Sequence, residues 1–213
     1  MIVLVTGFES NARGLNASEV LIKSLEEYLT PQLLKYQNSL RFSIIPGNTN
    51  ILGDIFDELV ECYSPDICVF TGQAPGRNKI TLERIATNIK NFKKPDRAGN
   101  LSLGEKIIAD GEAAYFSTLP KLETLVAILE ENNIPAAISN YAGNHLCNQI
   151  LYQALHFSQV HNSAIESGFV HIPILPEQVI RGSYYLKDAS ELPFMSLEMS
   201  RKALSLILVN LLA

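Results

Sequence analysis

The sequence predicts an α/β fold: a single three-layer domain over residues 1–213, with a mostly parallel, twisted sheet covered by helices on both faces. Three observations predict it. Short runs rich in β-branched residues alternate along the chain with stretches of helical spacing. Right-handed crossovers place a helix over the sheet between successive strands, so this rhythm implies parallel strands with both faces covered. A length of 213 residues suits one well-packed domain, and no internal repeat, low-complexity tract or Gly/Ser linker divides it.

The elements follow in order. The first strand is Ile2 to Thr6. The N-terminus is apolar at once but lacks the basic leading region and the long hydrophobic segment of a signal peptide. A helix over Ser18 to Leu29 stops before Pro31, and a strand runs from Phe42 to Ile45. The next helix, Ile51 to Cys62, stops before Pro65, and Ile67 to Thr71 forms the third strand. Within Ile80 to Asn88, the positions Leu82, Ile85, Ala86 and Ile89 have helical spacing. Lys90 to Gly111 is the one long irregular, densely charged stretch, a candidate functional loop or hairpin. A helix over Leu122 to Glu131, a strand over Ala136 to Ser139, a helix over about Leu146 to Phe157 and a strand over Phe169 to Ile172 continue the alternation. A last helix covers about Met195 to Leu212; its apolar part, Ala203 to Ala213, falls well short of the ~20 residues that span a bilayer.

Composition narrows the function. With 47% hydrophobic and 18% charged residues the chain is not intrinsically disordered. Its net charge of −5, without a basic block, argues against nucleic acid or an anionic membrane as partner. Three cysteines leave at least one thiol unpaired, and none forms a Cys-x-x-Cys pair that would suggest zinc or thioredoxin-like chemistry; a reducing compartment fits best. Cys62 and Cys68, within or beside apolar runs, read as small packing residues.

In open parallel sheets, ligands bind beyond the carboxyl ends of the strands. Cys147 follows the Ala136 to Ser139 strand at the start of an apolar helical pattern, where unpaired N–H groups favour thiolate over thiol. A cysteine nucleophile needs a base, and the base needs a group to orient it. His171, at a strand end, suits the base better than His145, His156 or His161. Packing remains open for Cys147, a hydrogen-bonded core role for His171, and a solvated charge beside Arg84 for Glu83. The turn from Gly72 to Gly76 lacks the Lys-Ser/Thr of a P-loop and the dinucleotide fingerprint, so it reads as a tight turn. Serine-elbow and zinc-hydrolase motifs are absent from the sequence.

Five segments, in identity and order, resemble the pyrrolidone-carboxylate peptidase (pyroglutamyl peptidase I) family of cysteine peptidases. They are Gly72 to Arg77, Ile80 to Asn88, Ala113 to Pro120, Ser139 to Asn148 and Ser167 to Gln178. The resemblance implies a cytoplasmic enzyme that hydrolyses the amide bond after an N-terminal pyroglutamyl residue through a thioester acyl-enzyme, without metal or cofactor. It implies Cys147 as nucleophile, His171 as general base and Glu83 as the group that orients the imidazole, with the Glu83 stretch extended rather than helical. It places Phe8, Asn16, Gln73 and Lys93 in the substrate-binding set, and implies a homodimer or homotetramer acting on peptides that begin with pyroglutamate.

Two departures from the family pattern fall in the recognition elements. The first loop, Ser10 to Ala17, lacks a second pocket aromatic, and Asn11 stands roughly in its place; Phe92 and Tyr141 are the candidates to supply that wall. In Asn91 to Arg97, Lys93 replaces an Arg, keeping the charge but losing the planar fork of donors. Alternative readings are a divergent cysteine hydrolase acting on a related N-acyl or lactam substrate, and a non-catalytic member that binds blocked peptide N-termini or serves as an oligomeric scaffold.

Overall fold

Six strands hydrogen-bond into one central sheet that sorts the helices to two sides. The structure is a computed structural model and describes residues 1–10, 14–181 and 191–213. In chain order its elements are β1 (Val3–Phe8), α1 (Ala17–Glu27), α2 (Pro31–Leu34), β2 (Leu40–Ile45), α3 (Leu52–Tyr63), β3 (Ile67–Gln73), β4 (Ile80–Glu83), β5 (Ile85–Thr87), β6 (Lys90–Asn91), β7 (Leu103–Glu105), β8 (Ala114–Phe116), α4 (Leu122–Glu131), β9 (Ala136–Ser139), α5 (Leu146–Val160), β10 (Glu166–Ile172), α6 (Pro176–Arg181) and α7 (Leu197–Leu212). The central sheet has the order β2-β1-β3-β10-β4-β9.

Side-chain alternation along each strand divides the core. Val3, Val5, Val170 and Ile172 pack with α1, α4 and α7, whereas Leu4, Phe70 and Phe169 pack with α3 and α5. Both faces are covered, so all six residues of β1 are buried, Thr6 included. Each fully buried Leu or Val here contributes about 1.5–3 kcal/mol of hydrophobic stabilisation. The helix ends follow local rules: the Asn16 side chain caps α1 by accepting from Ser18 N–H at 3.1 Å, and Ser64 ends α3 in a left-handed conformation just before Pro65.

The sheet is mostly parallel, but β4 pairs antiparallel with β10, so β4 and its parallel neighbour β9 run against the other four strands. The helical spacing around Leu82 is overridden. Ile80–Glu83 and Ile85–Thr87 are extended, and all four β4 residues are buried because the strand lies between β10 and β9. Lys90 to Gly111 contains a hairpin, β6 with β7, and a second ribbon joins β5 to β8. One packing assignment needs correcting. Cys68 is fully buried, but Cys62 is exposed, because the buried stripe of α3 runs through Leu52, Phe56 and Leu59 and continues with Tyr63 rather than Cys62.

Candidate active site

The face of the sheet that packs against α5 carries the titratable groups. Antiparallel pairing sets Glu83 opposite Phe169 and Thr81 opposite His171, so Glu83 and His171 are diagonal neighbours. His171 Nδ1 lies 2.7 Å from Glu83 Oε1, with His171 4% and Glu83 0% exposed. Since β4 runs backwards, its carboxyl end brings Glu83 alongside β10 rather than beyond the sheet edge. The same carboxylate oxygen accepts from Arg77 Nη1, and Arg77 Nη2 donates to the Tyr141 carbonyl at 2.9 Å.

Cys147 is the second residue of α5, and His145 precedes the helix as an N-cap without a side-chain cap bond. The cap side chain therefore accepts from none of the first-turn N–H groups. Asn148, 1% exposed, clamps this helix end. Its Oδ1 accepts from Thr87 N–H at 2.8 Å, and its Nδ2 donates to the carbonyls of Thr87 at 2.8 Å and Ile89 at 3.2 Å. Gln149 does the same on the other side, donating to the Thr49 carbonyl at 2.9 Å and accepting from its hydroxyl at 2.6 Å. The helix end thus held sets the Cys147 sulfur over Gly72, which pairs with His171 across β3 and β10. A Cβ on Gly72 would come 3.0 Å from that sulfur and 2.8 Å from Phe169 Cζ, so only glycine leaves the space.

Burial governs the protonation states. The Cys147 thiol is pushed up to about 12, first by desolvation and then by the Glu83 charge, against the lowering pull of Arg77 and of its own backbone N–H. Desolvation also lowers His171, outweighing the hydrogen bond and charge of Glu83. Burial by itself would raise Glu83, but the His171 hydrogen bond and charge, Ser139 and Arg77 together hold the carboxyl below its usual range. The resting arrangement is a neutral thiol and a neutral imidazole beside an ionised carboxylate.

A cleft of about 560 Å³ has Cys147 in its lining. Phe8, Asn16, Gln73 and Lys93 all line it, together with Tyr141 and Cys147, while His171 and Glu83 lie outside the lining. Gln73 Oε1 accepts from Ala17 N–H and from Gln178 Nε2, each at 2.9 Å, which occupies the carbonyl end of that amide and leaves its NH2 end as the donor it offers the cleft. Of the two candidate aromatic walls, Tyr141 lines the cleft and is 58% exposed. Phe92 does not line it. Its ring is buried in the core at 2% exposure and packs at a tilt on His145 with centroids 4.1 Å apart, and the His145 imidazole lies 3.3 Å from the Lys94 carbonyl. Asn11 lies outside the described residues.

Arg77, Thr81 and Asn148 are not singled out by the sequence alone, although all three lie within the motif segments; Thr81 shares a strand face with Glu83 only once that stretch is known to be extended. A larger cavity, about 710 Å³, lies between α2, α7 and the end of α4, and its lining contains no cysteine or histidine. Among the described residues, no group of three or more His, Cys, Asp or Glu side chains is arranged to hold a metal ion, and no helix is long and apolar enough to cross a membrane.

The sequence profile described as pyroglutamyl peptidase matches residues 1–212. The chain belongs to the pyroglutamyl peptidase family. It is similar to the pyrrolidone-carboxylate peptidase of Fusobacterium nucleatum, with 36% identity over 96% of this chain and 89% of that one. The same protein of Thermosipho melanesiensis is 37% identical over 93% of this chain and 92% of its own length. Among solved structures, the pyrrolidone carboxyl peptidase of Fervidobacterium islandicum AW-1 superposes with a TM-score of 0.88 at 34% identity, covering 99% of this chain and 98% of that one. Pyroglutamyl Peptidase I of Bacillus amyloliquefaciens gives 0.82 at 33% identity, over 97% and 94% respectively. The α/β fold, with its mostly parallel sheet, is that of pyroglutamyl peptidases.

Proposed function

We propose that this member of the pyroglutamyl peptidase family hydrolyses the amide bond after an N-terminal pyroglutamyl residue, with Cys147 as nucleophile, His171 as general base and acid, and Glu83 as the group that holds the imidazole. The observation that supports this most directly is the buried His171–Glu83 hydrogen bond of 2.7 Å on the sheet face over which α5 sets the Cys147 thiol, at a cleft lined by Phe8, Asn16, Gln73 and Lys93.

Because thiol and imidazole rest neutral, the proton moves as the carbon–sulfur bond forms. His171 takes the Cys147 proton while the sulfur attacks the pyroglutamyl carbonyl, and the ionised Glu83 stabilises the imidazolium that results. The oxyanion accepts from the Cys147 N–H at the start of α5, where the helix dipole favours developing negative charge. His171 then returns its proton to the departing amine, leaving a thioester. In the second half, His171 deprotonates a water that attacks the thioester, and free pyroglutamate leaves as the thiol is reprotonated. Phe8 gives the lactam ring an apolar surface, the Gln73 NH2 donates to the ring carbonyl, Asn16 and Lys93 complete the polar lining, and Tyr141 adds an aromatic ring to the cleft wall.

A pyroglutamyl-linked fluorogenic amide tests this reading. Turnover should be abolished in Cys147→Ser, and activity unaffected by that substitution would overturn the assignment of the nucleophile. Homodimeric or homotetrameric assembly and a cytoplasmic location belong to the same proposal, and the first is checked by sedimentation of the purified chain.

A further inference from the structure

We propose that Arg77 is a positioning residue that joins the carboxylate orienting His171 to the cleft wall, setting Glu83 and the Tyr141 backbone from a single guanidinium. The inference rests on the assignment of Glu83, His171 and Cys147 made above. Arg77 Nη1 donates both to Glu83 Oε1 and to Thr81 Oγ1, and Nη2 donates to the Tyr141 carbonyl at 2.9 Å. The planar fork lets one rigid group serve both ends, which an ammonium on a flexible stem cannot do. Thr81 Oγ1 in turn lies 3.4 Å from Glu83 Oε1, so arginine, threonine and imidazole converge on one carboxylate oxygen. Glu83 Oε2 is buried without a hydrogen-bond partner among the described residues, so the orientation of the carboxylate depends on Oε1.

The position has an electrostatic consequence. Among the charged groups around the dyad, Glu83 of β4 draws protons onto both His171 of β10 and Cys147 of α5, and Arg77 opposes it at each. By offsetting part of the Glu83 charge, Arg77 keeps the imidazole available as a base and makes the thiol easier to ionise. Ser139 of β9 is the remaining polar neighbour of Glu83. Farther along the cleft stand Lys93, Lys94, Arg97, His145 and Asp96, the last with its carboxylate taken up by Thr49 N–H and Asn100. At its other end, Arg77 holds the backbone of the residue whose ring lines the cleft, so loss of the fork should also loosen the wall that faces substrate.

Arg77→Met and Arg77→Lys separate the two effects. Two readouts are followed against pH: alkylation of Cys147 by iodoacetamide, which needs no substrate, and turnover of the pyroglutamyl amide. In Arg77→Met the alkylation profile should move to higher pH by about one unit, a roughly tenfold slower reaction at neutral pH, and the acid limb of turnover should move the same way. Arg77→Lys should keep the wild-type alkylation profile but raise KM several-fold, because the charge stays while the Tyr141 carbonyl is released. Wild-type profiles and wild-type KM in both variants would overturn the proposal. If Arg77→Met does not fold, Arg77→Lys decides alone: a raised KM over an unmoved alkylation profile supports the tether, and an unchanged KM refutes it. A wild-type enzyme that fails to cleave the amide would overturn the substrate reading instead, and the alkylation profiles would still report on Arg77.

Discussion

Replacing Gly72 with alanine adds one methyl group at the point where three parts of the proposed site meet. Gly72 does not adopt a positive φ, so the backbone tolerates the substitution and the whole cost is steric. The new Cβ would lie 2.8 Å from Phe169 Cζ, 3.2 Å from its Cε1 and 3.0 Å from the Cys147 sulfur. Neither neighbour yields easily: Phe169 is 1% exposed and sits two residues from His171 on β10, while the sulfur belongs to a helix end held by Asn148 and Gln149. Overpacking of this kind costs about 1–3 kcal/mol, a fall in Tm of roughly 2–12 °C for a chain of this size. Whichever neighbour moves, the sulfur and the imidazole change their separation, and displacement of reacting groups by about 1 Å costs on the order of 100-fold in rate. Thermal unfolding and turnover of the pyroglutamyl amide should therefore fall together in Gly72→Ala, with kcat affected more than KM because the pocket residues are untouched. A variant with wild-type Tm and wild-type kcat would refute the packing argument and the proximity of thiol and imidazole it rests on.

Asn148→Ala should lower stability by about 2–4 kcal/mol, since it leaves the N–H and C=O of Thr87 and the Ile89 carbonyl without their side-chain partner; urea denaturation measures this, and kcat should drop as the start of α5 loosens. Stability should also decline as pH falls below about 6.5, the ordinary value for the imidazole. His171 has a lowered pKa when folded, so the unfolded chain binds its proton first on acidification; Glu83, lowered as well, loses its contribution at still lower pH as it protonates. Urea midpoints at pH 7.5, 6 and 5 test the His171 contribution and a further midpoint at pH 3.5 that of Glu83; a flat profile from pH 7.5 to 5 would show that His171 is not perturbed in the direction stated, and no further loss between pH 5 and 3.5 the same for Glu83.

Much of this was legible in the sequence, and the exceptions have physical causes. Strands such as Val3–Phe8 and Ile67–Gln73 are apolar on both faces, and proline and polar caps end the helices, so single-chain patterns located them. Glu83 was ambiguous because an interior strand is buried at every position and shows no alternation, leaving Leu82, Ile85, Ala86 and Ile89 to imitate a helix. The reversed direction of β4 was not legible at all, since periodicity carries no information about which way a strand runs. Phe92 and Tyr141 could not be told apart as pocket walls, because only the tertiary fold turns one ring onto His145 and the other into the cleft. Arg77 was invisible as a tether for a similar reason: its carboxylate partner is close in sequence, but its carbonyl partner lies 64 residues away.

The two hydrogen bonds accepted by the Gln73 carbonyl oxygen carry a consequence for what the cleft should refuse. With that oxygen committed to Ala17 and Gln178, the amide can act toward a ligand only as a donor. A prolyl N-terminus has a five-membered ring of the same size but no ring carbonyl, and its ring nitrogen is cationic. In the proposed pocket it would leave the Gln73 N–H unanswered, at about 1–3 kcal/mol, and would bring a positive charge among apolar walls near Lys93. Exclusion of proline would then follow from how one glutamine is held in place, with no residue set aside to block it.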